Sequence, residues 1–184
     1  MKRTTSLQKI KQSLQNGNLC ILPTDTILGI FTEATNNNAV QKIFTAKQRD
    51  FSKPLAIFIS LDNISKYAIE TEASRTFTKK KLPGAYTILL YATEFAKANI
   101  SPLLISHDDK IGIRIPMQRD ILQITQNMVM CGTSVNVSGQ AFAKDVIPPE
   151  IAQYVDLHYA STEAMSQIPS TIIDFTHKTP ITVR

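Results

Sequence analysis

The sequence predicts an α/β domain, and three observations predict it. Short apolar runs at 19–23, 27–31, 54–59, 86–92 and 111–116 read as strands, and they alternate with stretches whose apolar residues recur at helical spacing. Thr133-Ser134-Val135-Asn136-Val137-Ser138-Gly139 alternates strictly. Val135 and Val137 point one way and Ser134, Asn136 and Ser138 the other, as side chains of a half-buried strand do. Finally, 184 residues at 43% hydrophobic content are enough for one sizeable core, so a single domain over 1–184 is expected.

Each element has its own signal. Residues 1–24 contain Lys2, Arg3, Lys9 and Lys11 and no acid, a composition shared with transit peptides. Leu7, Ile10 and Leu14 instead predict a packed helix that Asn16-Gly17-Asn18 stops, and a cytosolic protein is expected. The strand at 19–23 leads to Thr24-Asp25-Thr26, a hydroxyl or Asx turn. Gly29 inside the next strand signals a bulge or a close backbone approach. Asn36 to Asn38 offer N-caps to a helix with the stripe Ala39, Val40, Ile43 and Phe44. Lys47 falls at its end, where a cation complements the helix dipole.

Lys47-Gln48-Arg49-Asp50-Phe51-Ser52-Lys53 then places three cations within seven residues. This reads as a solvated helix end or as an anion clamp; on an extended backbone Lys47 and Arg49 would project to one side. The run at 54–59 is continuous enough for a strand covered on both faces. Asp62 can cap a helix carrying Ile64 and Ala68, and a second helix spans about 73–81, ending in a lysine run that reads as solvated surface. Leu82-Pro83-Gly84-Ala85 is a turn, and residues 93–110 read as irregular. In 111–116, Gly112 and Arg114 share a face. An arginine inside an apolar strand is costly unless a carboxylate or phosphate pairs with it. A helix follows at 119–127, then the alternating stretch, a short helix near 150–154 and strands near 157–160, 170–175 and 181–184.

Much chemistry is excluded. The sequence contains neither a phosphate-binding G-x-x-x-x-G-K-[ST] loop nor G-x-G-x-x-G. His107, His158 and His177 lack metal-ligand spacing, so no protein-bound metal is expected. Cys20 and Cys131 sit in apolar runs and read as buried thiols. No apolar run approaches membrane-spanning length. The net charge of +5 suits a protein that handles polyanions or phosphorylated ligands. The remaining inventory is Lys47, Arg49, Arg114 and Arg184 with Thr24, Ser134, Asn136 and Ser170. Cations and small polar groups of this kind bind anions and stabilise phosphoryl charge by positioning.

The segments ILPTDTILGI, KIFTAKQR with KPLAIFI, LPGAYTILL, IGIRIP, GTSVNVSG, and PSTIIDF with a closing Arg184 resemble, in this order, the YrdC-like family of threonylcarbamoyl-AMP synthases. The resemblance spans nearly the whole chain and is similar to the short, single-domain form. Its most specific part is the K-x-R after a helix paired with a distant S-x-N. It implies a twisted, mostly mixed or antiparallel sheet with flanking helices around a concave basic cavity. It also implies a reaction: ATP, L-threonine and bicarbonate (or CO2) give threonylcarbamoyl-adenylate and pyrophosphate. A downstream transfer complex uses this product for threonylcarbamoyladenosine in tRNA.

By resemblance, Lys47 and Arg49 are the catalytic cations at the phosphates of ATP, which arrives with Mg2+. Asn136, Lys144 and Arg184 belong to the nucleotide side. Arg114 takes the threonine carboxylate, with Thr24, Ser134 and Ser170 beside the amino acid. The chain departs from the family pattern at Leu28 (often aromatic), Ala85 (usually proline), Gln118 (often histidine) and Val135 (usually alanine). None of these removes a cation. Two other readings use the same inventory: a basic module that contacts double-stranded RNA or tRNA without chemistry, and a paralogue that acts on another carboxylate.

Overall fold

Strands that alternate in polarity need a sheet with two different faces, and the computed structural model of the chain has one. The structure describes residues 1–140, 142–143, 146–161 and 163–184. β1 (Lys2–Thr4) precedes α1 (Leu7–Gln15), whose N-cap Ser6 accepts from the Lys9 N–H and whose stripe Ile10 and Leu14 is buried. Gly17 ends the helix at φ 71°, a left-handed conformation that costs glycine no Cβ strain. β2 (Cys20–Pro23) and β3 (Leu28–Glu33) pair antiparallel. α2 (Asn37–Lys47) starts under the Asn36 side chain, which accepts from the Ala39 N–H, and buries Ala39, Val40, Ile43 and Phe44.

Then follow β4 (Ala56–Phe58), α3 (Ile64–Tyr67), β5 (Ala68–Ile69), α4 (Glu72–Lys81), β6 (Tyr86–Ala92), α5 (Glu94–Asn99) and β7 (Lys110–Arg114). The remainder is α6 (Arg119–Thr125), β8 (Met130–Ser134), α7 (Pro149–Ala152), β9 (Leu157–Tyr159), β10 (Thr171–Asp174) and β11 (Ile181–Thr182). The strands form one sheet in the order β1-β9-β2-β3-β8-β4-β7-β6-β10-β11, with β5 on β6. It is mixed: β9 is parallel to β1 and β2, β4 to β7, and β6 to β10, while the other neighbours are antiparallel.

Alternation assigns the core. Ile21, Ile30, Ile57, Ile88, Ile113 and Cys131 lie in one buried cluster with Val40, Ile43 and Phe44 of α2. Cys20, Leu22, Phe31, Phe58 and Met130 lie in another with Ile10 and Leu14 of α1 and Ile121 and Ile124 of α6. Neighbours along β2, β3, β4 and β8 fall in opposite clusters, so this part of the sheet is covered on both faces. The second face is covered only in part. Its register sets Gly29, Gly132, Ala56 and Gly112 on adjacent strands, and these small residues form the low floor of a cavity. Gly29 is regularly paired and makes no bulge. A Cβ there would come within 2.5 Å of the Phe31 ring, which confirms a close approach.

Several expectations are corrected. The strand expected over 133–139 ends at Ser134; beyond it the chain turns, although burial still alternates, with Val135 and Val137 buried. The region 93–110 holds a helix, α5, capped by Thr93. Asp62 caps no helix, since α3 starts after Asn63, and Ala68 is in β5. The backbone between Lys47 and Arg49 is not extended, because Gln48 takes φ 52°. β1 is an addition; it is polar and carries no periodic signal. Cys20 and Cys131 are free and buried, and burial pushes both thiols up, that of Cys20 to about 11. Among the described residues no helix is long and apolar enough to cross a membrane.

Candidate active site

The open half of the second sheet face bounds a cavity of about 840 Å³. Among the described residues six cations line it (Lys47, Arg49, Lys53, Lys110, Arg114 and Arg184), against one carboxylate, Asp108. Such an imbalance in a concave site concentrates positive potential and draws polyanions.

Lys47 is at the last position of α2 and only 1% exposed. Its Nζ donates to the Ser134 carbonyl at 2.5 Å, to the Asn136 carbonyl, and more weakly to Asn136 Oδ1 at 3.4 Å. The Lys47 carbonyl in turn accepts from the Ser138 N–H at 3.0 Å. The K-x-R and S-x-N segments, distant in sequence, therefore hold each other. The turn after β8 wraps the ammonium, and this is why the strand stops at Ser134. Within the turn, Ser134 Oγ donates to Asn136 Oδ1 at 2.5 Å, and Asn136 Nδ2 donates to the Gln140 carbonyl at 2.7 Å. Burial pushes the Lys47 ammonium down to about 7, and the nearby Arg49 acts in the same direction.

Arg49 follows the left-handed Gln48, a conformation that costs a non-glycine residue roughly 1–2 kcal/mol. That strain turns Lys47 and Arg49 into one wall. Arg49 Nε donates to the Lys53 carbonyl at 2.7 Å and Nη2 to the Pro54 carbonyl at 3.2 Å. Burial and then Arg184 lower its pKa. Arg184 reaches the Ser170 carbonyl from Nε and Nη2, both at 3.3 Å. Arg49 and Arg184, close enough to act on each other and without a carboxylate partner among the described residues, form a site kept ready for a multiply charged anion.

Arg114, at the end of β7, is 6% exposed. The partner that its position in an apolar strand demanded is Asp25, whose Oδ1 accepts from Nη2 at 2.6 Å; Thr26 Oγ1 accepts from the same nitrogen at 2.7 Å. Burial lowers the guanidinium pKa and Asp25 opposes that shift. Thr24 is spent within its own turn: its Oγ1 donates to the Ile27 carbonyl at 2.8 Å and accepts from the N–H groups of Thr26 and Ile27. Ser170 Oγ lies 2.9 Å from Thr87 Oγ1, both buried at the cavity wall.

The structure thus gathers Thr24, Lys47, Arg49, Arg114, Ser134, Asn136, Ser170 and Arg184 around one space. Lys144 lies outside the described residues. Of the positions that depart from the family pattern, Leu28 is buried at the cavity wall, Ala85 is exposed, and Gln118 is buried with its Nε2 unpartnered. Sequence reading missed Asp25, Thr87, Asp108 and Lys110 as parts of the site. Lys110 was within reach, because period two places it on the face of Gly112 and Arg114.

Residues 12–184 match the model of the Sua5/YciO/YrdC family, described as telomere recombination. A Methanocaldococcus jannaschii protein provisionally named a threonylcarbamoyl-AMP synthase is 33% identical over 186 aligned positions, covering 100% of this chain and 86% of that one. The crystal structure of Pyrococcus abyssi Sua5 complexed with L-threonine superposes with a TM-score of 0.83 at 25% identity. The match covers 100% of this chain and 56% of the P. abyssi chain, so this chain spans little more than half of that protein. Escherichia coli YciO matches with a TM-score of 0.82 at 22% identity, covering 100% and 92% of the two chains, which shows the shared fold. With a family model matched from residue 12 to residue 184, the chain belongs to the Sua5/YciO/YrdC family.

Proposed function

We propose that the chain is a threonylcarbamoyl-AMP synthase, a nucleotidyltransferase that joins L-threonine, bicarbonate and ATP into threonylcarbamoyl-adenylate and releases pyrophosphate. The observation that carries this reading is the cavity itself: Lys47, Arg49, Arg114 and Arg184 converge on a floor of small residues, within a family that includes proteins named for this reaction.

The chemistry needs charge and position more than a protein nucleophile. The threonine amine takes up CO2 to give a carbamate. A carbamate oxygen attacks the α-phosphorus, the bond to the β,γ-diphosphate breaks, and pyrophosphate leaves with the electron pair. Lys47 and Arg49 meet the phosphates and offset the charge that builds up as the bond breaks. Arg184 and Asn136 lie on the nucleotide side. Arg114 presents Nη1, the nitrogen that Asp25 and Thr26 leave unengaged, to the threonine carboxylate, with Thr24, Ser134 and Ser170 beside it. ATP enters as its magnesium complex, the metal being part of that substrate. The product then passes to the machinery that modifies tRNA.

The lowered Lys47 pKa gives a measurable consequence. In the free protein the ammonium titrates near 7, and a bound triphosphate raises that value. At about pH 8 the free protein holds Lys47 mostly neutral and the complex holds it charged, so nucleotide binding takes up protons. Calorimetry in two buffers of different ionisation heat should show this uptake, and Lys47→Met should abolish it. The reading as a whole is tested by pyrophosphate release from ATP and magnesium. Release should need both L-threonine and bicarbonate. ATP binding without a response to threonine would favour action on another carboxylate. Salt-sensitive RNA binding with no ATP binding would favour the RNA module.

A further inference from the structure

We propose that Asp25 is a positioning residue for amino-acid recognition, acting through Arg114; this rests on the reading above, in which Arg114 meets the threonine carboxylate. Asp25 stands outside the cation set, yet its side chain and its turn tie together three segments at the Arg114 end of the cavity. Its Oδ1 accepts from Arg114 Nη2 at 2.6 Å. Its Oδ2 accepts from the Met117 N–H at 3.2 Å, which ties down the segment between β7 and α6. Its backbone carbonyl accepts from the Ser166 N–H at 3.1 Å, and that of Thr26 from the Gln167 N–H at 2.8 Å. The segment so anchored runs directly into Pro169 and Ser170 of the cavity wall.

The physical logic is that of a buried pair with one partner on duty elsewhere. The Arg114 side chain is 7% exposed and that of Asp25 16%. A guanidinium this covered needs a fixed counter-charge to keep one orientation. Asp25 and Thr26 engage the same nitrogen, Nη2, so they set the rotation of the whole planar group and leave Nη1 for a ligand, while Nε is buried. The face of Phe58 lies 5.9 Å from Arg114 Cζ and limits movement on that side. Arg114 is thereby held before any ligand arrives, and the cost of ordering it is not charged to threonine binding. Lys47 and Arg49 are supported by separate contacts, with the turn at 134–136 and the carbonyls of Lys53 and Pro54. Loss of Asp25 therefore acts on the amino-acid end and spares the nucleotide end.

The test is steady-state pyrophosphate release by the full chain, with threonine and ATP varied in turn. Asp25→Asn should raise KM for threonine by about 10-fold or more, while KM for ATP stays within about 2-fold. Asp25→Glu, which restores the charge, should recover most of the threonine affinity. In an Arg114→Gln background, Asp25→Asn should cost nothing further, because the residue through which it acts is gone. Should Asp25→Asn melt below the assay temperature, Asp25→Ser is read in the same way. Equal rises in both KM values would overturn the inference, as would an equal effect of Asp25→Asn with and without Arg114. A wild-type protein that releases pyrophosphate without regard to threonine would remove the functional reading and this inference with it.

Discussion

Lys47→Ala should lower pyrophosphate release by roughly two to three orders of magnitude, the range seen when one preorganised charge-stabilising donor is removed. Two losses add. The ammonium disappears from the phosphate wall, and the turn it organises loses the donor to the Ser134 and Asn136 carbonyls. Lys47→Arg should not rescue activity. A planar fork cannot occupy the tight space between these carbonyls that a compact ammonium fills. The fold should survive, because the clusters that stabilise the sheet are built from other residues. A circular-dichroism melt beside the kinetic assay separates the two effects. Near wild-type turnover in a folded Lys47→Ala protein would exclude Lys47 from the chemistry.

Phe31→Ala should be the most destabilising single truncation near the site, by about 3–5 kcal/mol. The ring is fully buried, meets Phe58 edge-on with centroids 4.8 Å apart, and rests against the gap left by Gly29 and Gly132. Removing the ring leaves a void beside Gly29 and Gly132 at the cavity floor, and these small neighbours cannot collapse into it. Denaturant unfolding should show the loss as a lower midpoint with an unchanged slope. A loss below about 1 kcal/mol would mean that the floor repacks.

Residues whose partners are near in sequence were legible. Asn36 and the stripe Ala39, Val40, Ile43 and Phe44 specify α2, because cap and periodicity agree. Leu7, Ile10 and Leu14 specify α1 in the same way. Polar β1 was not legible, since its pairing partner β9 lies at the far end of the chain. α5 was hidden because the polar segment around it, with Pro102 and Asp108-Asp109, outweighed the Thr93 cap. The alternating stretch at 133–139 predicted burial correctly and backbone wrongly. Burial follows the side-chain pattern, whereas the turn is set by an ammonium 87 residues earlier in the chain. The same distinction holds in the site. An arginine in an apolar strand shows that a partner must exist. Only the fold shows that it is Asp25, 89 residues away and ordinary in its own turn.

The most direct measurement is to supply radiolabelled bicarbonate with L-threonine and magnesium-ATP, and to ask where the label goes. Label in a nucleotide-linked product that forms only with threonine, with one pyrophosphate released for each label fixed, is the expected result. Pyrophosphate released without label fixed, or label fixed equally well without threonine, would contradict the assignment of this cavity to threonylcarbamoyl-adenylate synthesis.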